Sequence, residues 1–211
     1  MSLFVLRYFD LHARAETIKA ILTYAGAEWK LETPAWPEKQ ADQPTGKLPV
    51  LIETKPDGTQ FVLSDSLAIE NYLLKKFHMY SEHSYTQAAL EIQLRNQIMD
   101  CLQQASFFRF GESEETRQMA KKEFVSLTKM VVAYHEKVLK DNGANGYYFG
   151  DKIGYADMAC YSGFKALLTV VGLEDIVLDL FSEKSAPLIN MVVRNVESDP
   201  KLANFVATFN N

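Results

Sequence analysis

The sequence predicts an α/β domain over residues 1–77 followed by an all-α domain over residues 84–211. Three observations carry that division. Strand, helix and strand patterns follow one another between residues 3 and 33. A turn signal, Lys55-Pro56-Asp57-Gly58, separates two short apolar runs at 49–54 and 60–63. From residue 84 onward the strand signal disappears and apolar residues recur at three and four spacing.

Leu3 to Phe9 is apolar on both faces apart from Arg7, which suits a central strand covered on both sides. Arg14 to Ala25 places Ile18, Ile21, Leu22 and Ala25 on one face, and Gly26 is its stop signal. Trp29 to Thr33 is a short second strand, and residues 34–46, with three prolines, form a surface loop. In the turn, Pro56 presets φ, Asp57 bonds nearby backbone and Gly58 accepts a positive φ. Pro49 is compatible with two readings, the first residue of a strand or a cis Leu48-Pro49 bond. A helix over 65–77 turns Ala68, Ile69, Tyr72, Leu73 and Phe77 inward. The order β-α-β-loop-β-β-α is that of a thioredoxin-like domain.

Lys75-Lys76-Phe77-His78-Met79-Tyr80-Ser81-Glu82-His83 is polar and aperiodic and reads as the linker. Residues 86–110 show Leu90, Leu94, Ile98, Leu102 and Ala105 on one face. Residues 114–140 show Phe124, Leu127, Val131, Tyr134 and Val138 at alternating three and four spacing, the pattern of a helical-bundle seam. Asn142-Gly143-Ala144-Asn145-Gly146 breaks that helix. Residues 155–171 are apolar almost all round, which predicts the buried central helix of a bundle. The last clear helix covers 186–197 with Ile189, Val192, Val193 and Val196 inward.

Composition narrows the function classes. The chain has 211 residues, 47% of them hydrophobic and 23% charged, with a formal net charge of -5. An acidic balance argues against nucleic acid as the main partner, since phosphate binding needs clustered basic residues. No apolar run approaches the ~20 residues of a membrane span. The N-terminus, Met1-Ser2-Leu3-Phe4-Val5, lacks a basic leader and runs straight into a strand pattern, so a cytoplasmic location is expected. The two cysteines, Cys101 and Cys160, sit in helical apolar contexts and read as buried thiols rather than as a disulfide or metal site.

Tyr8 closes the first strand just before a loop and a helix, where ligands of α/β sheets collect. A hydroxyl there either donates to an anion or is satisfied by backbone in the core. The hairpin of residues 49–54 and 60–63 delivers the chain to a helix N-terminus near residue 65, which offers unpaired N–H groups and partial positive charge. Beside it, the extended Leu48-Pro49 backbone can pair with an extended ligand. That combination suits a small peptide carrying a carboxylate.

Tyr8-Phe9 with Arg14-Ala15-Glu16, then Trp36-Pro37-Glu38, Gly46-Lys47-Leu48-Pro49, Asp65-Ser66-Leu67-Ala68-Ile69 and Gly150-Asp151-Lys152-Ile153-Gly154-Tyr155-Ala156-Asp157 closely resemble cytosolic glutathione transferases, nearest to the sigma class. The resemblance covers essentially the whole chain. It implies that Tyr8 donates to the glutathione sulfur and stabilises the thiolate, with Arg14 adding a positive field; a salt bridge with an acid of the second domain is the other, compatible account of Arg14. It implies that Trp36 and Lys47 meet the glycyl end, with Lys39 or Gln40 assisting. Leu48, beside Pro49, would pair its backbone with the cysteinyl backbone, and Ser66 would hold the γ-glutamyl carboxylate; an ordinary helix cap is the other, compatible account of Ser66. The electrophile would lie in an apolar cleft between the domains, with Phe9, Leu11, Met99, Phe107 and Phe108 as candidate lining; plain core packing is the competing account of each. Relatives pair as homodimers and need glutathione as co-substrate but no metal.

Three departures from the family pattern stand out. Asp65 replaces the Gln that usually precedes the serine, and Gln104 replaces an acid that relatives supply from the partner subunit. Gly154 replaces the Ser or Thr that usually caps the helix at Tyr155. A free thiol has a pKa near ~8.5, and the thiolate is the nucleophile, so the resemblance implies thiolate activation as the central step. Conjugation to electrophiles, an isomerase or peroxidase reaction on one substrate (as in prostaglandin D synthases), and a non-catalytic role as in lens crystallins all remain compatible with the fold.

Overall fold

The computed structural model describes residues 1–79 and 84–209. The chain separates into two compact units, Met1–Tyr80 and Ser81–Asn211.

In the first unit, β1 (Leu3–Arg7), α1 (Glu16–Tyr24), β2 (Glu28–Glu32), β3 (Val50–Thr54), β4 (Gln60–Ser64) and α2 (Ser66–Lys76) follow in order. The sheet runs β2-β1-β3-β4, so β1 is internal as expected. It lies parallel to β2 and antiparallel to β3, and β4 is antiparallel to β3. This is the thioredoxin-like arrangement. Phe4 and Leu6 on one face of β1 and Tyr8 just beyond its end are buried, as are Ile18, Ile21 and Leu22 of α1 and Ile69, Leu73 and Leu74 of α2. The other face is less covered than the apolar run predicts. Leu3 is 38% exposed, and Val5 and Arg7 are half-buried.

Local chemistry explains the boundaries. At the end of α1, Gly26 takes φ +64° while its N–H donates to the Thr23 carbonyl and that of Ala27 donates to the Leu22 carbonyl. In the hairpin, Gly58 takes φ +83° and its N–H donates to the Lys55 carbonyl at 2.9 Å. The Asp57 carboxylate accepts from the Thr59 N–H at 2.9 Å. Both Leu48-Pro49 and Trp36-Pro37 are cis. The expected linker is shorter than the polar run: Lys75 and Lys76 belong to α2, and Tyr80 to His83 lie outside the described residues.

The second unit is wholly helical among its described residues: α3 (Tyr85–Phe110), α4 (Glu114–Asp141), α5 (Tyr155–Leu168), α6 (Glu174–Leu180), α7 (Pro187–Ser198) and α8 (Ala203–Ala207). α5 is its core, with Tyr155 to Phe164 all buried. Two expectations need correction. Helices α6 and α8 add to a list that ended at 197; with 7 and 5 residues they are too short for a periodic signal. The α4 seam is rotated: Phe124, Thr128, Val131, Val132, His135 and Leu139 are buried, whereas Leu127, Tyr134 and Val138 are half-buried. Thr128 and His135 are polar, so an apolar count passes over them.

His135 is neutral in this core. Its pKa is pushed down to about 4 by burial. The Tyr148 hydroxyl donates to Sγ of Cys160 at 3.0 Å, which leaves His135 Nδ1 as donor in its 2.6 Å contact with that hydroxyl. Both cysteines are free and buried, and burial pushes their thiols up to about 11 for Cys101 and about 12 for Cys160. The N-terminus of α5 has no side-chain cap of its own at Gly154. Asp157 serves instead, accepting from the N–H of Gly154 at 2.8 Å and from that of Tyr148 at 2.9 Å. α7 begins with Pro187 and takes its cap from α4, where Glu136 accepts from the N–H groups of Leu188 and Ile189.

Candidate functional site

Strand register brings the predicted residues of the first unit to one edge of the sheet. Arg7 lies opposite both Glu32 and Val50, and Val50 lies opposite Ser64. The next residues along the chain, Tyr8, Pro49 and Asp65, therefore emerge at the same edge. The loop that carries Trp36, Lys39, Gln40, Lys47 and Leu48 leaves from it and returns to it.

Tyr8 is 4% exposed. Its hydroxyl accepts a hydrogen bond from the backbone N–H of Arg14 at 3.1 Å. Burial pushes its pKa up to about 12, opposed by the Arg14 amide and guanidinium. The hydroxyl therefore keeps its proton at neutral pH. Among the described residues it donates to none, so the proton is available to a ligand. The Arg14 N–H makes that proton a better donor, because accepting one bond polarises the O–H of the next.

The rest of the edge has distinct roles. Phe9 packs edge-on against Trp36, ring centroids 5.2 Å apart, and lies 5.6 Å from the Tyr8 ring. Lys39 pairs with Asp42 at 3.0 Å, and the Gln40 amide donates to the Gly46 carbonyl at 3.1 Å. Both therefore brace the loop that presents Lys47, which is exposed and forms no ion pair with a described residue. Leu48 is half-buried, Pro49 is buried and Leu11 is 46% exposed. The helix cap of α2 is Asp65 rather than Ser66: Asp65 Oδ1 accepts from the Ala68 N–H at 3.0 Å. Asp65 takes φ +79°, a conformation that costs a non-glycine residue about 1–3 kcal/mol. Ser66 is the first residue of α2 and is buried.

One cluster near Tyr8 escaped the sequence reading. Glu16 is fully buried, with Lys19 Nζ at 2.6 Å and His12 Nδ1 at 3.2 Å. Its charge opposes ionisation of Tyr8. The Glu16 to Lys19 spacing is a helical i, i+3 signal that could have found part of it, while His12 precedes the helix.

In the second unit, Met99 is 5% exposed and belongs to the core. Phe107 is 54% exposed, Phe108 is half-buried with Lys121 Nζ 5.7 Å from its ring centroid, and Gln104 is half-buried. Gln104 and Phe107 line one hollow. Among the described residues no group of three His, Cys, Asp or Glu side chains could hold a metal ion, and no helix is long and apolar enough to cross a membrane.

Known proteins agree with this architecture. "Probable glutathione S-transferase 6" of Caenorhabditis elegans is 29% identical over 162 residues, covering 72% of this chain and 73% of its own. "S-crystallin 4" of Enteroctopus dofleini is 21% identical over 221 residues, 98% of this chain and 96% of its own. The solved structure "Fasciola hepatica sigma class GST" superposes with a TM-score of 0.76 at 24% identity, covering 98% of this chain and 96% of its own, and bears on the fold. Residues 99–208 match the family described as "Glutathione S-transferase, C-terminal domain". Those residues are more than half of the chain, and with the edge built around Tyr8 they show that it belongs to the glutathione S-transferase family.

Proposed function

We propose that this chain, a sigma-like member of the family, activates glutathione as its thiolate through the Tyr8 hydroxyl and joins the sulfur to hydrophobic electrophiles. The observation that carries the reading is the Tyr8 hydroxyl: buried, protonated, bonded on its acceptor side by the Arg14 amide, and free to donate. On this proposal residues 1–77 bind glutathione and residues 84–211 supply electrophile contacts. Arg14 lends positive field, Trp36 and Lys47 meet the glycyl end, and Leu48 beside Pro49 pairs with the cysteinyl backbone. Asp65 and Ser66 hold the γ-glutamyl end. Lys39 and Gln40 act by bracing the loop. Electrophile contacts fall to Phe9 and Leu11 of the first unit and to Phe107 and Phe108 of the second, with Met99 packing behind. The setting is cytoplasmic detoxification by a homodimer.

Turnover of chlorodinitrobenzene with glutathione tests this directly. Conjugation at a rate well above the uncatalysed one is expected. Binding of glutathione without turnover would favour the non-catalytic reading, which the S-crystallin relative supports.

The pairing of Asp65 with Gln104 gives a sharper test. Asp65 is exposed at the site edge, and only one of its oxygens is used as a cap. On the proposal, its carboxylate anchors the γ-glutamyl ammonium, and Gln104 of a second subunit is the weaker neighbour. A hydrogen bond to an ion contributes about 1.5–3 kcal/mol, so Asp65→Asn should weaken glutathione roughly tenfold or more. Gln104→Ala should cost less, and Gln104→Asp should restore much of what Asp65→Asn loses. Calorimetric binding across this double-mutant cycle is the measurement. A larger loss from Gln104→Ala, or no rescue by Gln104→Asp, would leave Asp65 as a cap alone.

A further inference from the structure

Behind Tyr8 lies a buried charge to which the proposed chemistry gives no part. Glu16 opens α1 and is fully buried. One of its carboxylate oxygens meets Lys19 Nζ at 2.6 Å, and Lys19 is itself buried. The other oxygen faces His12 Nδ1 at 3.2 Å. An acid in the first turn of a helix gains from the dipole equally well when exposed, so the dipole does not account for the burial. Taking a carboxylate out of water is unfavourable even when it is paired. Its charge also works against negative charge at Tyr8.

The compensating gain lies in where His12 sits. Residues 10–15 connect β1 to α1 without strand or helix. Ala15 supplies no side-chain cap to α1, and the Glu16 N–H donates to the Ala13 carbonyl at 3.1 Å. The same short loop carries the Arg14 amide, which donates to the Tyr8 hydroxyl oxygen at 3.1 Å. Holding a loop in one geometry loses backbone entropy, so a tie to a rigid element is needed. His12 lies two residues before Arg14 and Glu16 two residues after it. Their contact therefore closes a ring around the amide that meets Tyr8. Lys19 fixes the far oxygen, so the carboxylate is set from the helix side. The imidazole can hold its oxygen either neutral, with the proton on Nδ1, or charged.

We propose that His12 and Glu16 are positioning residues for thiolate formation: the buried carboxylate, fixed to Lys19, holds the His12 imidazole and so keeps the Arg14 amide aimed at the Tyr8 hydroxyl. The proposal rests on the thiolate-activating role given to Tyr8. Neither residue touches glutathione in this role; both act through the Arg14 amide.

Exchange of the Arg14 amide proton, followed by NMR on the full chain without glutathione, reads the positioning directly. His12→Ala is expected to speed that exchange about three- to tenfold, the factor that one neutral hydrogen bond is worth. His12→Asn, whose side-chain amide can take the place of Nδ1, should restore slow exchange. With glutathione bound, His12→Ala should raise the thiolate midpoint and lower turnover by about the same factor, with glutathione affinity unchanged, and His12→Asn should recover both. In a Tyr8→Phe background His12→Ala should change neither, because the amide has lost the oxygen it serves. His12 is a half-buried loop residue, so these variants should keep the wild-type melting temperature. Unchanged Arg14 exchange in His12→Ala would overturn the proposal, as would His12→Asn behaving like His12→Ala. A loss of turnover that persists in full when Tyr8→Phe is present would place the imidazole on the ligand and overturn it too. These outcomes leave the Tyr8 reading standing. That reading fails separately, through an unmoved midpoint in Tyr8→Phe alone, and would take this proposal with it.

Discussion

Tyr8→Phe is expected to lower turnover about tenfold or more while leaving glutathione affinity nearly unchanged, because in the proposed role the lost donor acts on the thiolate rather than on the peptide. The ring packing survives the change; only the hydroxyl goes. Lowering the bound thiol by about two pKa units corresponds to roughly 2.7 kcal/mol of preference for the thiolate. The thiolate absorbance of the binary complex, titrated against pH, should show its midpoint moving up in the variant. Arg14→Ala should move it less, because the backbone N–H that bonds the Tyr8 hydroxyl at 3.1 Å is kept while only the guanidinium is lost. An unchanged midpoint in Tyr8→Phe would remove the tyrosine from the chemistry.

The largest effect on stability is expected from Asp157→Ala. It leaves two N–H groups, those of Tyr148 and Gly154, without their acceptor beside the central helix. An unsatisfied buried donor costs about 1–3 kcal/mol, so the pair should lower unfolding free energy by about 2–6 kcal/mol. The change should also alter the pH dependence. Burial pushes the Asp157 carboxyl up to about 7, with Glu91 adding to the rise. The folded chain then holds a proton that an unfolded Asp releases from about pH 4, so this contribution weakens as pH rises toward 7. His135 has the opposite sign. It is held neutral down to about pH 4 while an unfolded His takes up its proton near 6.5, so its contribution is full above 6.5 and is lost on acidification. The two slopes oppose each other in the wild type. Removing Asp157 leaves the histidine slope alone, and the variant should lose stability more steeply from pH 6.5 to 4. Denaturant unfolding at both ends of that window checks this; parallel profiles for variant and wild type would contradict it.

Much of the fold was legible because its signals are local. Gly26 after an amphipathic run, Pro56-Asp57-Gly58 between two apolar runs, and the all-round apolar face from Tyr155 each point to one conformation by backbone sterics or burial alone. The candidate site was legible for a different reason. Its glutathione-side residues lie mostly in four short motifs of the first unit whose order and types resemble one family, and strand register then brings Tyr8, Pro49 and Asp65 to one edge.

What only the tertiary structure decided are the partnerships between distant polar groups. The pattern of α4 hid His135 and Thr128, because a polar residue enters a core when its partner is there, and the partner of His135 is Tyr148 in a later loop. The start of α7 carries no cap of its own, and Glu136 of α4 provides one from more than 50 residues away. Asp65 rather than Ser66 caps α2 because the helix begins at Ser66, and short-range pattern leaves a helix start open by one or two residues. Periodicity reports which side chains prefer to leave water. Which polar groups satisfy one another once there depends on packing between elements, and sequence distance carries no information about it.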